Sequence, residues 1–149
     1  MIIVNERIDY TDIIAPYHVR ICTTNSFIKK DGSVVMGRGN AKAMSTAHPE
    51  IPKHLGNAID HLEAYYYLQF EWKGLQQFGI FQVKYGWYDK ADLSLIQGSC
   101  DSLRYTAKLN PDITYHLPFP GIGNGKLDRD VVYEIIKELP DNVKVYETC

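Results

Sequence analysis

The length and composition of the chain indicate one globular domain. Its 149 residues are 45% hydrophobic and 23% charged, which is enough apolar content for a packed core and excludes a disordered chain. The formal net charge is -2 with Lys and Arg scattered along the chain, so charge gives no indication of nucleic-acid binding. No apolar run approaches the ~18 residues of a membrane-spanning helix, so no membrane association is expected.

The cysteines and histidines predict neither disulfides nor a metal site. Cys22, Cys100 and Cys149 are far apart and odd in number, which favours reduced thiols in a cytoplasmic protein. The first seven residues lack the basic start and long apolar run of a signal peptide. Among the five histidines no third metal ligand has matching spacing, so we expect no metal and no cofactor.

The first half of the chain mixes strand and helix patterns. In chain order we predict a strand over 2–8, a strand over 19–22, a hairpin-like excursion over 27–35, a helix over 40–48 and a helix that begins near Pro52. The excursion is indicated by the turn signal Asp31-Gly32. The apolar positions of the second helix are Ile51, Leu55, Ile59 and Leu62.

The second half continues the alternation. In chain order we predict strands over 65–70 and 78–83, a long helix, a strand over 113–117, a glycine-rich loop over 121–125, another helix and a strand over 143–146. Asp89 is expected to cap the long helix and Asp128 the last one. The inward faces are expected to comprise Leu95, Ile96, Cys100 and Leu103 in the long helix, and Val131, Val132, Ile135, Ile136 and Leu139 in the last.

Strands alternating with helices predict an α/β domain with a largely parallel sheet and helices on both faces. Ligands of such sheets bind beyond the carboxyl ends of the strands. The two glycine-rich segments, residues 37–41 and 121–125, each follow a strand and precede a helix. Glycine allows close backbone approach, and a helix start offers free N–H groups to a phosphate. Either the two loops hold a diphosphate between them, or they are glycine turns in an α/β protein without a nucleotide.

Four segments together resemble a macro domain, a family that binds ADP-ribose. Residues 10–14, Tyr-Thr-Asp-Ile-Ile, are similar to its early Gly-Asp-Ile/Leu segment, with Thr11 where glycine is usual. Residues 21–25 resemble the segment that ends in an Asn at the distal ribose. Residues 36–41, Met-Gly-Arg-Gly-Asn-Ala, resemble the first phosphate loop of the branch that contains the DNA and terminal ADP-ribose glycohydrolases. Residues 121–125 resemble the second loop.

The resemblance covers the whole chain, 1–149, as a single domain, and the insert 29–35 is similar to that of a phage and bacterial subgroup. It implies a three-layer α/β/α fold around a mixed, mostly parallel sheet, with ADP-ribose or a derivative as ligand. Asp12 would accept the adenine amino group, with Ile13 beside it, and Tyr146 would stack on the adenine. The full set of expected ligand-binding residues is Asp12, Ile13, Thr24, Asn25, Gly37, Arg38, Gly39, Asn40, Ala41, Pro120, Gly121, Ile122, Gly123, Asn124, Gly125 and Tyr146.

The resemblance leaves catalysis open. In the glycohydrolase branch a lysine attacks the ribose, and Lys84 lies at a similar place, but the partner acid of that branch corresponds to Gly125. One hypothesis is an enzyme that hydrolyses ADP-ribose 1''-phosphate or an ADP-ribosyl ester, with Asn25 orienting the distal ribose and water as nucleophile. The other is a non-catalytic module that reads ADP-ribosylated macromolecules or sequesters the nucleotide.

Three further expectations concern single residues. Gly121→Val should abolish binding and leave the fold intact, because a side chain at this position would collide with the diphosphate. His116 is expected in the core or behind the ligand site. Trp87 or Tyr88 is expected to contact the ligand from the loop after Lys84.

Overall fold

The described residues form one mixed sheet with helices on both of its faces. The structure is a computed structural model that describes residues 1–12 and 16–148. Its elements in chain order are β1 (Ile2–Val4), β2 (His18–Thr24), α1 (Gly39–Ala47), α2 (Ile51–Gly56), β3 (Tyr67–Trp72), β4 (Gln76–Gln82), α3 (Leu93–Leu109), β5 (Thr114–Pro118), α4 (Arg129–Ile136) and β6 (Val143–Tyr146).

The order of strands in the sheet is β1-β6-β5-β2-β4-β3. All neighbours are parallel except β3, which pairs antiparallel with β4. The register places Thr24 opposite Gln82 and Pro118 opposite Tyr146. The carboxyl ends of four adjacent strands, β6, β5, β2 and β4, therefore lie along one edge of the sheet. The predicted mixed, mostly parallel sheet is confirmed.

Two apolar clusters cover the two faces of the sheet, and together they make the three layers. One cluster contains Met44 of α1 and Leu55 of α2, and the other contains Leu103 of α3 and Ile136 of α4. Alternation along β2 supplies both, because Ile21 belongs to the second cluster and the adjacent Cys22 to the first. Cys100 is buried as predicted.

The excursion over 27–35 is confirmed as a small hairpin. Ile28 and Val34 form an antiparallel bridge, and Gly32 adopts a φ of 87° at the turn. The Asp31 carboxylate accepts hydrogen bonds from the backbone N–H and the hydroxyl of Ser33. The turn signal in the sequence therefore has a direct structural counterpart.

The structure differs from the prediction at the start of α3 and on the inward face of α4. Asp92, and not Asp89, caps α3, because its side chain accepts from Ser94 N and Leu95 N at 2.8 and 3.1 Å. Asp89 instead accepts from Gly86 N at 3.0 Å in the preceding turn. Asp128 caps α4 as predicted, but Val131 is 47% exposed and does not point inward.

Several element bounds also differ from the prediction. β1 ends at Val4, and α2 ends at Gly56, which leaves Leu62 exposed beyond it. β3 begins only at Tyr67 because the backbone N–H of Tyr66 bonds the side chain of Gln82, with φ 61° at Tyr66. The side-chain oxygen of Gln82 thus takes the place of the backbone carbonyl that would accept from Tyr66 N in an extended strand.

Candidate functional site

A cavity of 1110 Å³ lies at the carboxyl edge of the sheet. The ends of the four adjacent strands contribute Thr24 from β2, Pro118 from β5, Tyr146 from β6 and Val83, the residue after β4. Both glycine-rich loops line it as well. The cavity is therefore elongated along the strand ends, with Tyr146 at the β6 end and Lys84 at the β4 end.

The cavity brings together most of the residues that the sequence singled out. Those that line it are Thr24, Asn25, Gly37, Arg38, Gly39, Asn40, Ala41, Lys84, Gly121, Ile122, Gly123, Asn124, Gly125 and Tyr146. Asp12 and Pro120 are described by the structure and are not among the lining residues. Ile13 lies outside the described residues.

Sequence reasoning missed part of the cavity wall. Residues 6–8 and Tyr10 line the cavity from a stretch without regular structure, and hydrogen bonds from Tyr10 Oη to Ile21 O and from Arg20 to Asp9 O hold this stretch on β2. No motif in the sequence marks residues 6–8, whereas Tyr10 begins the segment 10–14 on which the resemblance partly rests. The excursion contributes Phe27, Lys29 and Val35 to the cavity wall. The sequence Asp31-Gly32 predicted the turn of this excursion but did not indicate that it lines a cavity. Trp87, which was expected from the sequence to lie near the ligand, lines the cavity, whereas Tyr88 is not among its lining residues.

The first loop presents a helix start to the cavity. Arg38 occupies the N-cap position of α1 and makes no side-chain cap hydrogen bond, and the first turn of this helix contains no acidic residue. Asn40 ties the loop to β2, since its Oδ1 accepts from Thr23 N at 2.7 Å. The positive end of the helix dipole and its free N–H groups thus face the cavity without a carboxylate in the first turn of the helix.

The second loop is held from behind by its own backbone. Leu127 N donates to Gly121 O at 2.9 Å, Lys126 N to Gly123 O at 3.1 Å and Ala91 N to Gly125 O at 3.1 Å. The carbonyl groups are therefore engaged on the protein side. Gly39 of the first loop approaches Asn124 so closely that a Cβ at Gly39 would lie 3.3 Å from Asn124 Nδ2. The two loops meet over the cavity.

Two glycines of the second loop face the protein interior, which corrects one expectation. A Cβ at Gly121, where φ is 77°, would lie 2.8 Å from Ile96 Cδ1 and 3.1 Å from Leu127 Cδ1. The expectation that Gly121→Val leaves the fold intact is therefore wrong. A Cβ at Gly125 would lie 2.6 Å from Gly121 O and 2.8 Å from Ala91 Cβ, so the backbone has no room for an acidic side chain there.

Asn25 is 5% exposed, and its amide already serves the protein. Its Nδ2 donates to Val35 O at 3.0 Å, and its Oδ1 accepts from Phe27 N at 2.8 Å. An amide has two donors and a second lone pair, so one N–H and one lone pair remain. The neighbouring Thr24 Oγ1 is buried without a hydrogen-bond partner among the described residues, which leaves it as an unused polar group behind the cavity wall.

Lys84 lines the cavity close to the positive charges of Arg38 and Lys126. Burial lowers the pKa of the Lys84 ammonium, the nearby positive charges of Arg38 and Lys126 lower it further, and Asp89 opposes them. A lysine with a lowered pKa is closer to the neutral form that acts as a nucleophile. Gly125, where the sequence resemblance would place a partner acid, carries no side chain.

Tyr146 is held by a hydrogen-bonded chain of side chains. Its Oη lies 2.7 Å from His116 Nδ1, and His116 Nε2 lies 2.9 Å from His18 Nδ1. Burial, with the neighbouring His18, Lys144 and Arg20, lowers the pKa of His116 to about 4. The position of His116 behind a cavity residue agrees with the expectation from the sequence.

The described residues contain neither a cluster of metal ligands nor a membrane-spanning helix. Residues 1–12 and 16–148 contain no group of three or more His, Cys, Asp or Glu side chains placed to hold a metal ion. No helix in that part of the chain has both the length and the apolar character required to cross a membrane.

Comparisons with known proteins identify the fold. No protein-family model matches the sequence, and no curated protein matches it significantly. Among solved structures, the macrodomain of Mycobacterium tuberculosis DarG is 20% identical with a TM-score of 0.72, and 99% of each chain is covered. The macrodomain of Thermus aquaticus DarG is 20% identical with a TM-score of 0.68 over 91% of each chain.

A third solved structure carries a ligand. Thermosipho africanus DarTG in complex with ADP-ribose is 16% identical with a TM-score of 0.67, and the match covers 86% of this chain. The chain spans 37% of the length of that DarTG protein. These likenesses, at low identity and over nearly the whole chain, establish the macrodomain fold.

Proposed function

We propose that this chain, which has the macrodomain fold, binds ADP-ribose in the cavity at the carboxyl edge of its sheet. The observation that carries the proposal is the meeting of two glycine-rich loops over one cavity, beside a helix start that no side chain caps. Backbone N–H groups and a helix dipole hold a diphosphate without requiring a basic protein. The likeness to a DarTG solved with ADP-ribose supports the same ligand.

We propose one direction for the ligand along the cavity. The diphosphate lies between the two loops, near the middle of the strand edge. The adenine lies at the β6 end, where Tyr146 supplies an aromatic surface, and Asp12 is proposed to accept the adenine amino group. The distal ribose then lies at the β4 end near Asn25 and Lys84, both of which line the cavity.

For the reaction, we propose hydrolysis of a substituent on the distal ribose, either a 1''-phosphate or an ester. Asn25 orients the ribose with the one N–H and the one lone pair that its contacts to Val35 and Phe27 leave free. Water is the nucleophile, because the acid that would assist Lys84 is missing at Gly125. The loop N–H groups stabilise the charge that develops on the substituent.

One observation favours a second function, binding without turnover. The backbone at Gly125 leaves no space for the acid of the glycohydrolase branch. A cavity that holds ADP-ribose and lacks this group would read ADP-ribosylated macromolecules or sequester the nucleotide. Both functions need the same cavity, so binding is tested first.

The first experiment is calorimetric titration with ADP-ribose, with AMP as the control. Micromolar binding of ADP-ribose that AMP does not match is the expected result, since AMP lacks the second phosphate and the distal ribose. Absence of binding at millimolar ADP-ribose would contradict the proposed function. Incubation with ADP-ribose 1''-phosphate and with an ADP-ribosyl ester then separates the enzyme from the module.

Two variants assign the chemistry if turnover is found. Asn25→Asp keeps the acceptor for Phe27 N and loses the donor side, so turnover should fall sharply. Lys84→Met should retain turnover, because water and not the amine attacks. A Schiff base trapped by borohydride reduction in the native protein would instead identify Lys84 as the nucleophile.

A further inference from the structure

A second, smaller cavity opens beside the main one at the β4 end of the strand edge. Its volume is 270 Å³, and we call it the annex. It shares Arg38, Lys84, Trp87 and Asn124 with the main cavity, and its other walls are Tyr88, Asp89, Lys90 and Lys126. Because the two cavities share walls, a substituent at the distal end of a ligand in the main cavity can extend into the annex.

The annex is strongly cationic. Four of its side chains, those of Arg38, Lys84, Lys90 and Lys126, are basic, and Asp89 is its one carboxylate. None of the four cations forms an ion pair with a residue in the described ranges, and Asp89 is engaged by the backbone N–H of Gly86. Clustered like charges repel one another, and an anion placed among them removes that repulsion.

The backbone conformation of Lys126 adds an independent observation. Lys126 has a φ of 61°, in the left-handed region that costs free energy for a residue other than glycine or asparagine. The turn is closed by the hydrogen bond from Lys126 N to Gly123 O, and it directs a long cationic side chain to the annex.

Aromatic rings border the same space. Trp87 and Tyr88 are 49% and 60% exposed, and their rings pack edge to face at 5.5 Å. The annex thus combines an excess of positive charge with exposed aromatic rings at its border.

We propose that the annex binds a phosphate group carried on the substituent of the distal ribose, so that the protein prefers phosphate-bearing derivatives over ADP-ribose itself. The proposal rests on the proposed function, because it needs ADP-ribose in the main cavity with its distal ribose at the β4 end. The phosphate belongs either to a monoester on the ribose or to the backbone of an attached oligonucleotide, and both present the same anionic oxygens.

The test compares dissociation constants for ADP-ribose and ADP-ribose 1''-phosphate at low ionic strength, obtained from rapid-mixing association and dissociation rates so that the proposed hydrolysis does not consume the phosphorylated ligand. Two partly exposed contacts between lysine and phosphate make the native protein bind the phosphorylated ligand about tenfold more tightly. In the double variant Lys90→Gln with Lys126→Gln, the ratio of the two constants should fall to about one. The matched control, Lys53→Gln with Lys108→Gln, removes the same charge from exposed positions outside both cavities and should keep the native ratio.

Two results would overturn the proposal. One is equal affinity of the native protein for the two ligands, and the other is a native ratio retained in Lys90→Gln with Lys126→Gln. Both presuppose that ADP-ribose binds. If ADP-ribose itself does not bind, the proposed function fails, and this outcome is distinguishable from failure of the annex alone.

An additional ligand separates the two sources of phosphate. A short oligonucleotide with ADP-ribose attached is compared with ADP-ribose 1''-phosphate and with the unmodified oligonucleotide. Tighter binding of the conjugate than of the monoester, lost in the double variant, assigns the annex to a phosphodiester. Tighter binding of the monoester assigns it to a terminal phosphate.

Discussion

The two glycine-rich loops have similar sequences and differ in what their glycines do. In the first loop, a Cβ at Gly37 would meet nothing within 4 Å, and the same holds for Gly123 in the second loop. At Gly121 and Gly125 a Cβ would press on the protein's own atoms. The first loop therefore uses Gly37 to leave space on the ligand side, whereas most of the second loop uses glycine to pack against α3 and itself.

The largest expected effect is on stability, at Gly125. Gly125→Ala places a Cβ against Gly121 O and Ala91 Cβ, and overpacking of this kind costs about 3 kcal/mol. The matched control Gly37→Ala should stay within about 0.5 kcal/mol of the native protein. Denaturant unfolding of the ligand-free proteins measures both. Equal stability of the two variants would contradict the proposal that Gly125 packs against the protein interior and Gly37 does not.

The next effect is on affinity, at the glycines that face open space. Gly37→Val and Gly123→Val should each weaken ADP-ribose binding about 100-fold, since a side chain would occupy the space for the diphosphate. Thermal unfolding without ligand should show little change, which distinguishes them from Gly125→Ala. Retained affinity in a folded Gly37→Val protein would place the diphosphate elsewhere.

A third effect depends on pH and belongs to β5, the strand that leads into the second loop. The folded protein holds the pKa of His116 at about 4, below its ordinary value of 6.5, so the unfolded chain takes up the proton first. Stability is therefore full above about pH 6.5 and falls, on the order of 2 kcal/mol, as the pH decreases toward 4.

Unfolding free energies measured across this range test the effect. His116→Gln, which stays neutral, should flatten the decline, whereas the exposed His54→Gln should retain the native profile. An unchanged decline in His116→Gln would assign it to other groups.

The smallest effect concerns the helix that follows each loop. Asp128 caps α4, so Asp128→Ala should cost about 1 kcal/mol. Arg38 at the N-cap of α1 makes no side-chain cap bond, so Arg38→Ala should cost almost nothing in the free protein. A comparable loss in both variants, measured by denaturant unfolding, would show that the start of α1 is stabilised by its side chain and is not kept free.

Features encoded in short segments were predictable from the sequence. The alternation of strands and helices, the turn at Asp31-Gly32 and the two loops at the carboxyl edge follow from local patterns and from the rule for parallel sheets. The choice between Asp89 and Asp92 as the cap of α3 was not, because both precede an apolar face. Their roles differ only through the turn at Gly86, which bonds Asp89 first.

Features that depend on contacts between distant segments were not predictable. The direction in which Gly121 faces depends on Ile96 in another helix, which no local pattern reveals. The same applies to the annex, whose cations come from the first loop, from residues after β4 and from the end of the second loop. Along the chain they are single basic residues at ordinary spacing.

The excursion over 27–35 is a short insert outside the glycine-rich loops, and its two ends hold the amide of Asn25 in place. Val35 O and Phe27 N occupy one donor and one acceptor of that amide. Each end of the hairpin thus makes one hydrogen bond to the residue that is proposed to orient the distal ribose. Exchange of this segment between macrodomains would then alter chemistry at the ribose, even where every ligand-contacting side chain is preserved.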